Sequence, residues 1–230
     1  MPPLPTACGL NLSPTPTPVC IVHFEKIKNK GQAQLFDRPW MEALTKTHPA
    51  VIFSIYVPIV SALLYYGYAY RGLPAWTEAG WFAGGVLFWS FFEYLMHRYL
   101  FHMAVHSKKA ERFVYTMHGV HHEYPRDTER LFMPPVPSLL IATVLFFLFY
   151  LLLGSAAFAF FPGFMTGYLA YGSMHYAIHA FAPPKFLKAL WRNHHLHHYK
   201  EPEKGFGVSS VIWDHVFGTM TKKDAPPKSA

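Results

Sequence analysis

The chain has 230 residues, of which 52% are hydrophobic, 18% aromatic and only 14% charged, where a soluble domain carries about 25% charged residues. That deficit excludes an ordinary soluble domain and a disordered chain alike. The net charge of +7 would raise nucleic acid as a partner, but the basic residues flank apolar runs, and that pattern points to a membrane.

In chain order, residues 1–18 contain six prolines (Pro2, Pro3, Pro5, Pro14, Pro16 and Pro18) and read as a disordered tail. No Lys or Arg precedes the apolar residues there, so a secretory signal is not expected. Cys8 and Cys20 are too few for a disulfide framework. The expected organisation is a Pro-rich tail and interfacial segment over 1–46, a membrane domain over 47–220 and a polar tail over 221–230. A short interfacial helix is expected around residues 40–44.

Between Lys46 and Arg71 lie 24 uncharged residues, and a membrane-spanning helix needs about 20. Pro58 is a potential kink. A second span is expected from about residue 79 to 100, with Glu93 and His97 near its end. Residues 131–184 contain no Lys, Arg, Asp or Glu. As one helix they would be roughly 80 Å long, so the stretch must fold back into two spans. Gly154-Ser155 and Pro162-Gly163 are both candidate turns. The expected architecture is an all-α integral membrane protein with four transmembrane helices. With a cytoplasmic N-terminus, 19 of the 20 Lys and Arg fall on the inner side and only Arg71 outside, the asymmetry of the positive-inside rule.

Histidine is the compositional outlier, at 15 residues. Ten of them form short clusters. His97 and His102 make H-x-x-x-x-H. His118, His121 and His122 make H-x-x-H-H, as do His194, His197 and His198. His175 and His179 are four apart. On a helix, residues three or four apart share a face, while adjacent ones point about 100° apart, so each His-His pair can serve two different metals. His97 and His102 diverge by about 140° on a regular helix; they reach two metals, or the helix unwinds between them. The topology delivers all ten to one membrane face. Lone His23, His48 and His215 read as ordinary surface or hydrogen-bonding residues. Neutral imidazole suits Fe, Zn, Cu or Ni. Ten imidazoles exceed the four of a closed structural zinc and fit two metals with about five ligands each.

On these motifs the sequence resembles the fatty acid hydroxylase superfamily, most nearly its sphingolipid fatty acid 2-hydroxylases in a form without a fused cytochrome b5 domain. The strings that carry the likeness are FFEYLMHRYLFH, HGVHH, HYAIH and HHLHHYKEPEKGFGVSSVIWDHVFGT, over roughly residues 75–220. The resemblance implies a helical cytosolic cap on the membrane helices that holds two iron ions, with zinc as a competing occupant. It implies hydroxylation of a long acyl chain, in a fatty acid or a ceramide, at C2 with O2 and external electrons. Carried over by position, the ligands are His97, His102, His118, His121, His122, His175, His179, His194, His197 and His198. His106 and His195 fall outside the pattern, and a swap of His194 with His195 stays open. Relatives often read Tyr-Asp where this chain has Tyr171-Gly172, and carry a further histidine where it has Ala180. The implied electron source is a separate donor such as cytochrome b5 or a ferredoxin-type carrier. The implied location is the endoplasmic reticulum in a eukaryote or the inner membrane in a bacterium.

Around the ligands, Glu93 sits four residues before His97 and is expected to fix its tautomer by a hydrogen bond, or else to pair with Arg98 or Arg71. Asp214 is expected to do the same for a C-terminal histidine, or to cap a helix. Gly205, Phe206 and Gly207 read as a tight connection near the site. Phe164, Tyr168 and Tyr171 precede His175 by one to three turns and are expected to line an acyl channel. Competing readings are a sterol or carotenoid oxidase, a lipid desaturase and, outside the enzymes, a metal transporter or a zinc scaffold.

Overall fold

The computed structural model describes residues 27–105 and 107–222. The Pro-rich tail, Cys8, Cys20, His23, His106 and nearly all of the polar tail lie outside the described residues. The chain divides into two compact units. One, the apolar unit, comprises residues 43–93 and 129–177; the other, the histidine unit, comprises the described parts of 1–42, 94–128 and 178–230.

A five-residue helix α1 (Pro39–Ala43) carries Trp40, which is exposed. In the apolar unit, α2 (Pro49–Arg71) begins where the His48 imidazole accepts a hydrogen bond from the Ala50 N–H at 3.2 Å, with Pro49 at the first position. His48 is therefore a helix cap. The helix ends at Gly72, whose φ of 67° lets its N–H turn back to the Gly67 carbonyl. Pro58 stays inside the helix. Next comes α3 (Ala75–Leu95).

The uncharged stretch folds back at a single 3-10 turn, Gly154–Ala156, between α6 (Pro135–Leu153) and α7 (Ala157–Ala180). Gly154 has a φ of 56°, a conformation open chiefly to glycine. Pro162 lies within α7 and makes no turn.

Two contacts set the spacing of α3 and α7. A Cβ on Gly85 would sit 2.0 Å from the Phe160 carbonyl, and one on Gly163 would sit 2.0 Å from the Phe82 carbonyl. The two backbones meet directly, the use to which membrane helices put small residues. Around this seam Phe149, Phe161, Phe164 and Tyr168 form an aromatic core, and Tyr56 and Ser138 share a buried hydroxyl hydrogen bond of 2.6 Å.

The outside of this unit is as apolar as its inside. Leu151, Trp76 and Leu87 are 82%, 80% and 70% exposed, a surface that water does not tolerate over a large area. Two stretches, Pro49–Arg71 and Thr128–Ala180, are long and apolar enough to cross a membrane.

In the histidine unit, α3 continues without a break into a π-helical turn, Met96–Phe101. Helix α4 (Lys108–Val114), capped by the Ser107 hydroxyl on the Ala110 N–H, runs through a second π turn (Tyr115–Gly119) into α5 (Val120–Glu123). Helices α8 (Lys188–Tyr199) and α9 (Ile212–Val216) follow. The segment before α1 is tied down at Lys28, which pairs with Glu123 at 2.7 Å and donates to the Tyr124 hydroxyl. Those two bonds hold the Lys28 ammonium above its ordinary pKa. The Ala33 N–H donates to the buried Asp127 carboxylate.

Candidate metal centre

Two π turns and the regular helices α5, α7 and α8 gather the imidazoles. In a π-helix the backbone bond spans five residues, and here the His102 N–H reaches the His97 carbonyl at 3.2 Å. That insertion cancels the divergence of a five-residue spacing, so His97 and His102 face one set. On α5 and the π turn before it, His118 and His122 are four apart and face the same way, while His121 turns to the other side. On α8, His194 and His198 pair and His197 diverges.

The outcome is two sets. Ligand nitrogens of His97, His102, His118, His122 and His197 lie within 4.8 Å of one another, as do those of His121, His175, His179, His194 and His198. All ten histidines singled out from the sequence are in one set or the other. The pairs His121-His122 and His197-His198 are each split between the sets, and the His122 and His198 rings stack at 4.2 Å. His195 stands outside both; its Nδ1 meets the Trp191 carbonyl at 2.7 Å. His194 is therefore the residue at the cluster.

Proton counting shows that hydrogen bonds cannot satisfy the first set. His97 Nδ1 lies 2.6 Å from the Phe206 carbonyl, and His197 Nδ1 lies 2.6 Å from the Lys204 carbonyl. A carbonyl only accepts, so both Nδ1 atoms carry the hydrogen and both Nε2 atoms of the neutral rings are bare lone pairs. The Nε2 atoms run His97, His118, His122, His197 with gaps of 3.0, 3.0 and 3.1 Å. Only His118 and His122 can supply a proton to these three gaps. His102 Nε2 is buried with no hydrogen-bond partner among the described residues.

Burial favours the neutral imidazole. Burial, reinforced by repulsion among neighbouring imidazoles, holds His102, His118, His122 and His198 well below the ordinary histidine pKa. Converging neutral lone pairs are what a cation takes up. The spacing fits as well. Two nitrogens each about 2.1 Å from an ion are about 3.0 Å apart at a right angle and about 3.4 Å apart at a tetrahedral one. In the second set His194 Nε2 lies 2.9 Å from His179 Nε2 and 3.1 Å from His198 Nε2. Gaps of this size let neighbouring imidazole nitrogens share one ion.

A buried carboxylate organises the carbonyls. Asp214, fully buried on α9, accepts from the Phe206 N–H at 3.0 Å, the Gly207 N–H at 2.8 Å, the Thr219 hydroxyl at 2.7 Å and the Asn193 amide at 3.2 Å. It shapes residues 205–207, where Gly205 has a φ of 69° and a Cβ on Gly207 would strike the Ser210 carbonyl. The role expected of Glu93 at His97 is thus taken by a backbone carbonyl, since both ring nitrogens of His97 are engaged elsewhere. Arg98 donates to the Tyr94 hydroxyl and Arg71 to Ser155. Asp214 is one step removed from the histidines, holding the loop whose carbonyl orients His97. Sequence reasoning missed the Phe206 and Lys204 carbonyls, because main-chain groups leave no motif. It also missed Asn193, whose only signal is its place beside His194.

The expected channel residues lie in the apolar unit. Phe164 contacts Phe88, Trp89, Phe92 and Phe149 edge-on or tilted and stacks on Phe161, and Tyr168 packs on Tyr56, Trp89 and Phe132. Both side chains are buried in this aromatic cluster. Tyr171 stacks on His175 at 5.7 Å. Gly172 has its own reason: a Cβ there would sit 2.1 Å from the Phe132 ring, so an aspartate at this position would displace that phenylalanine.

The sequence model of the fatty acid hydroxylase family matches residues 82–219. The chain belongs to the fatty acid hydroxylase family. It is 35% identical over 209 residues to the ceramide very long chain fatty acid hydroxylase SCS7 of Saccharomyces cerevisiae, covering 89% of this chain and 54% of that one. The dihydroceramide fatty acyl 2-hydroxylase FAH2 of Arabidopsis thaliana is 36% identical over 200 residues, with 86% of this chain and 84% of the relative covered. The fatty acid 2-hydroxylase of Mus musculus is 34% identical over 220 residues, at 85% and 58% coverage. The chain thus spans little more than half the length of the yeast and mouse hydroxylases. A solved structure of full-length scs7p, in which only the hydroxylase domain is visible, superposes with a TM-score of 0.79 at 36% identity over 87% of this chain and 76% of that one.

Proposed function

We propose that the chain is a membrane-bound oxygenase that hydroxylates a long acyl chain, in a fatty acid or a ceramide, at C2. The ten histidines are its metal ligands, five to an ion, and the ions are iron. The observation that carries this reading is the pair of five-imidazole sets, with more converging lone pairs than protons to share among them. Relatives named as fatty acid and ceramide 2-hydroxylases supply the substrate class and the carbon.

Bound iron would supply the activation of O2 with electrons from a donor such as cytochrome b5 or a ferredoxin-type carrier. The chain's residues do the rest. His97 and His197 keep a proton on Nδ1, pinned to the Phe206 and Lys204 carbonyls, so Nε2 stays available in a fixed orientation. Asp214 holds the loop that carries the first of these carbonyls. Burial of the sets keeps bulk water from reactive species. Methylenes along an acyl chain are chemically alike, so selection of C2 comes from positioning.

For the membrane we propose four spans, α2, α3, α6 and α7, with the histidine-rich cap on the cytoplasmic face. The exposed apolar side chains of α2, α3 and α6 support this, and with a cytoplasmic N-terminus such a topology would put 19 of the 20 basic residues on the inner side, in keeping with the positive-inside rule.

Lipid mass spectrometry of cells expressing the chain tests the reading, with His118→Ala as control. A 2-hydroxy acyl product that the control lacks is expected. A new double bond or an oxidised ring instead would overturn C2 hydroxylation, and metal flux without lipid oxidation would overturn the enzyme.

A further inference from the structure

The histidine unit contains an open cleft of about 740 Å³, within the range of small-molecule sites. His179 forms part of its wall and at the same time presents Nε2 to His194 in the second set. The cleft is thus one imidazole away from the candidate metal centre.

Its walls are of two kinds. Ile178, Phe181 and Ala182 make an apolar side, with the Phe181 ring 64% exposed. Lys30, Arg126, His195 and Tyr199 also line it, and no carboxylate is among its described lining residues. The polar residues are organised: Tyr199 donates to the Asn29 side-chain oxygen Oδ1 at 2.6 Å, and Arg126 hydrogen-bonds the Tyr199 hydroxyl. The segment bearing Asn29 and Lys30 is fastened next door by the Lys28–Glu123 pair. Two cations and several apolar side chains in one cleft suit a ligand with a negative head and a hydrocarbon body.

We propose that this cleft binds the carboxylate of a free long-chain acid, with Arg126 and Lys30 as the groups that hold the anion. The inference deepens the proposed function by choosing the free acid over the neutral amide of a ceramide, and it rests on that reading for its link to turnover. The chemistry is consistent: C2 is the carbon next to the carboxyl, so a head anchored beside His179 keeps C2 near the second set, whereas an anchor far along the chain would not.

The test is direct binding to the purified full-length chain in neutral detergent near neutral pH. Radiolabelled palmitate is compared with its methyl ester, and unlabelled acetate serves as competitor. Palmitate is expected to bind about tenfold more tightly than the ester, the worth of one charge-assisted hydrogen bond. Arg126→Gln and Lys30→Gln are each expected to remove most of that preference while leaving ester binding and metal content unchanged, and Arg126→Lys to restore part of it. Equal binding of acid and ester, or acid binding indifferent to both substitutions, overturns the proposal. So does acetate competing as well as a long-chain acid, which would mark a small-anion site. Turnover separates the two readings. Acid binding as expected with no 2-hydroxy product in the lipid assay would sink the function and leave the cleft standing. Hydroxylation of the free acid with an unchanged KM in Arg126→Gln would sink the cleft and leave the function.

Discussion

The unit of residues 43–93 and 129–177 buries Phe149, Phe161, Phe164 and Tyr168 and exposes Leu87, Val136 and Leu151. The other unit buries His97, His118, His122, His194, His197, His198 and Asp214. In the first, inside and outside are chemically alike, so burial energy does not choose the helix faces. Close packing does, through Gly85 and Gly163 where two backbones touch. In the second, the interior is polar, and a buried polar group costs stability unless it is partnered. There the fold depends on bonds to particular atoms, and the converging nitrogens are where the proposed ions would bind.

The sharpest way to break the contrast is to remove one imidazole. His122→Ala takes a ligand from the first set and the stacking partner of His198 from the second. Hydroxylation is expected to fall by about a thousandfold or more, the scale of lost positioning and electrostatic terms together, while far-UV circular dichroism retains the helical signal of the apolar unit. Product assay and spectrum on one preparation decide it.

Metal removal should divide the units in the same way. Because ion binding stabilises the folded sites, a strong chelator is expected to lower the melting temperature of the histidine unit and leave α2, α6 and α7 helical. In the metal-free protein the pH dependence has a definite sign. An unfolded chain protonates its histidines near pH 6.5, whereas the fold keeps His102, His118, His122 and His198 neutral well below that. Stability is therefore complete above about pH 6.5 and is lost as the pH falls, by about 1.4 kcal/mol per pH unit for each proton withheld. A denaturant series at several pH values measures the slope, and stability that rises on acidification would contradict the neutral cluster.

Asp214→Asn is expected to act at a distance from the ions. The amide cannot accept as a carboxylate does from Phe206, Gly207, Thr219 and Asn193, so the Phe206 carbonyl loses its seat under His97. Metal affinity should drop about 10- to 100-fold, as for lost outer partners of ligands, read by competition with a metallochromic chelator. An unchanged affinity would make Asp214 a purely local tie.

Smaller effects probe the apolar unit and the cluster boundary. Gly163→Ala places a Cβ 2.0 Å from the Phe82 carbonyl and is expected to cost about 1–3 kcal/mol, seen in detergent unfolding with metal content unaltered. Smallest of all, His195→Ala is expected to leave both ions bound, in contrast to His194→Ala, when the metal content of the two is compared.

Much of the site was legible in the sequence because helical spacing is arithmetic. Four-residue intervals put His175 with His179, His118 with His122 and His194 with His198, and neighbours such as His121-His122 had to diverge. The fivefold spacing of His97 and His102 was ambiguous, because a sequence does not announce a π turn. The choice of Gly154 over Pro162 as the turn was equally hidden: proline is tolerated inside α7, and positive φ at Gly154 is a property of the folded backbone. Phe164 and Tyr168 were expected to line an acyl channel and are buried among other aromatics; an aromatic at helical spacing reads the same whether it lines a void or fills one. Glu93 drew attention as the nearest carboxylate in sequence, while a carbonyl 109 residues downstream supplied the bond to His97.

The sequence by itself determined the apolar helices and the membership of ten histidines in short clusters, since both follow from composition and local period. Only the tertiary structure decided how the clusters sort into two groups of five, which main-chain oxygens orient them and what seats those oxygens. Those contacts join residues far apart along the chain, and such pairings depend on how the backbone closes in three dimensions, not on any residue's neighbours in sequence.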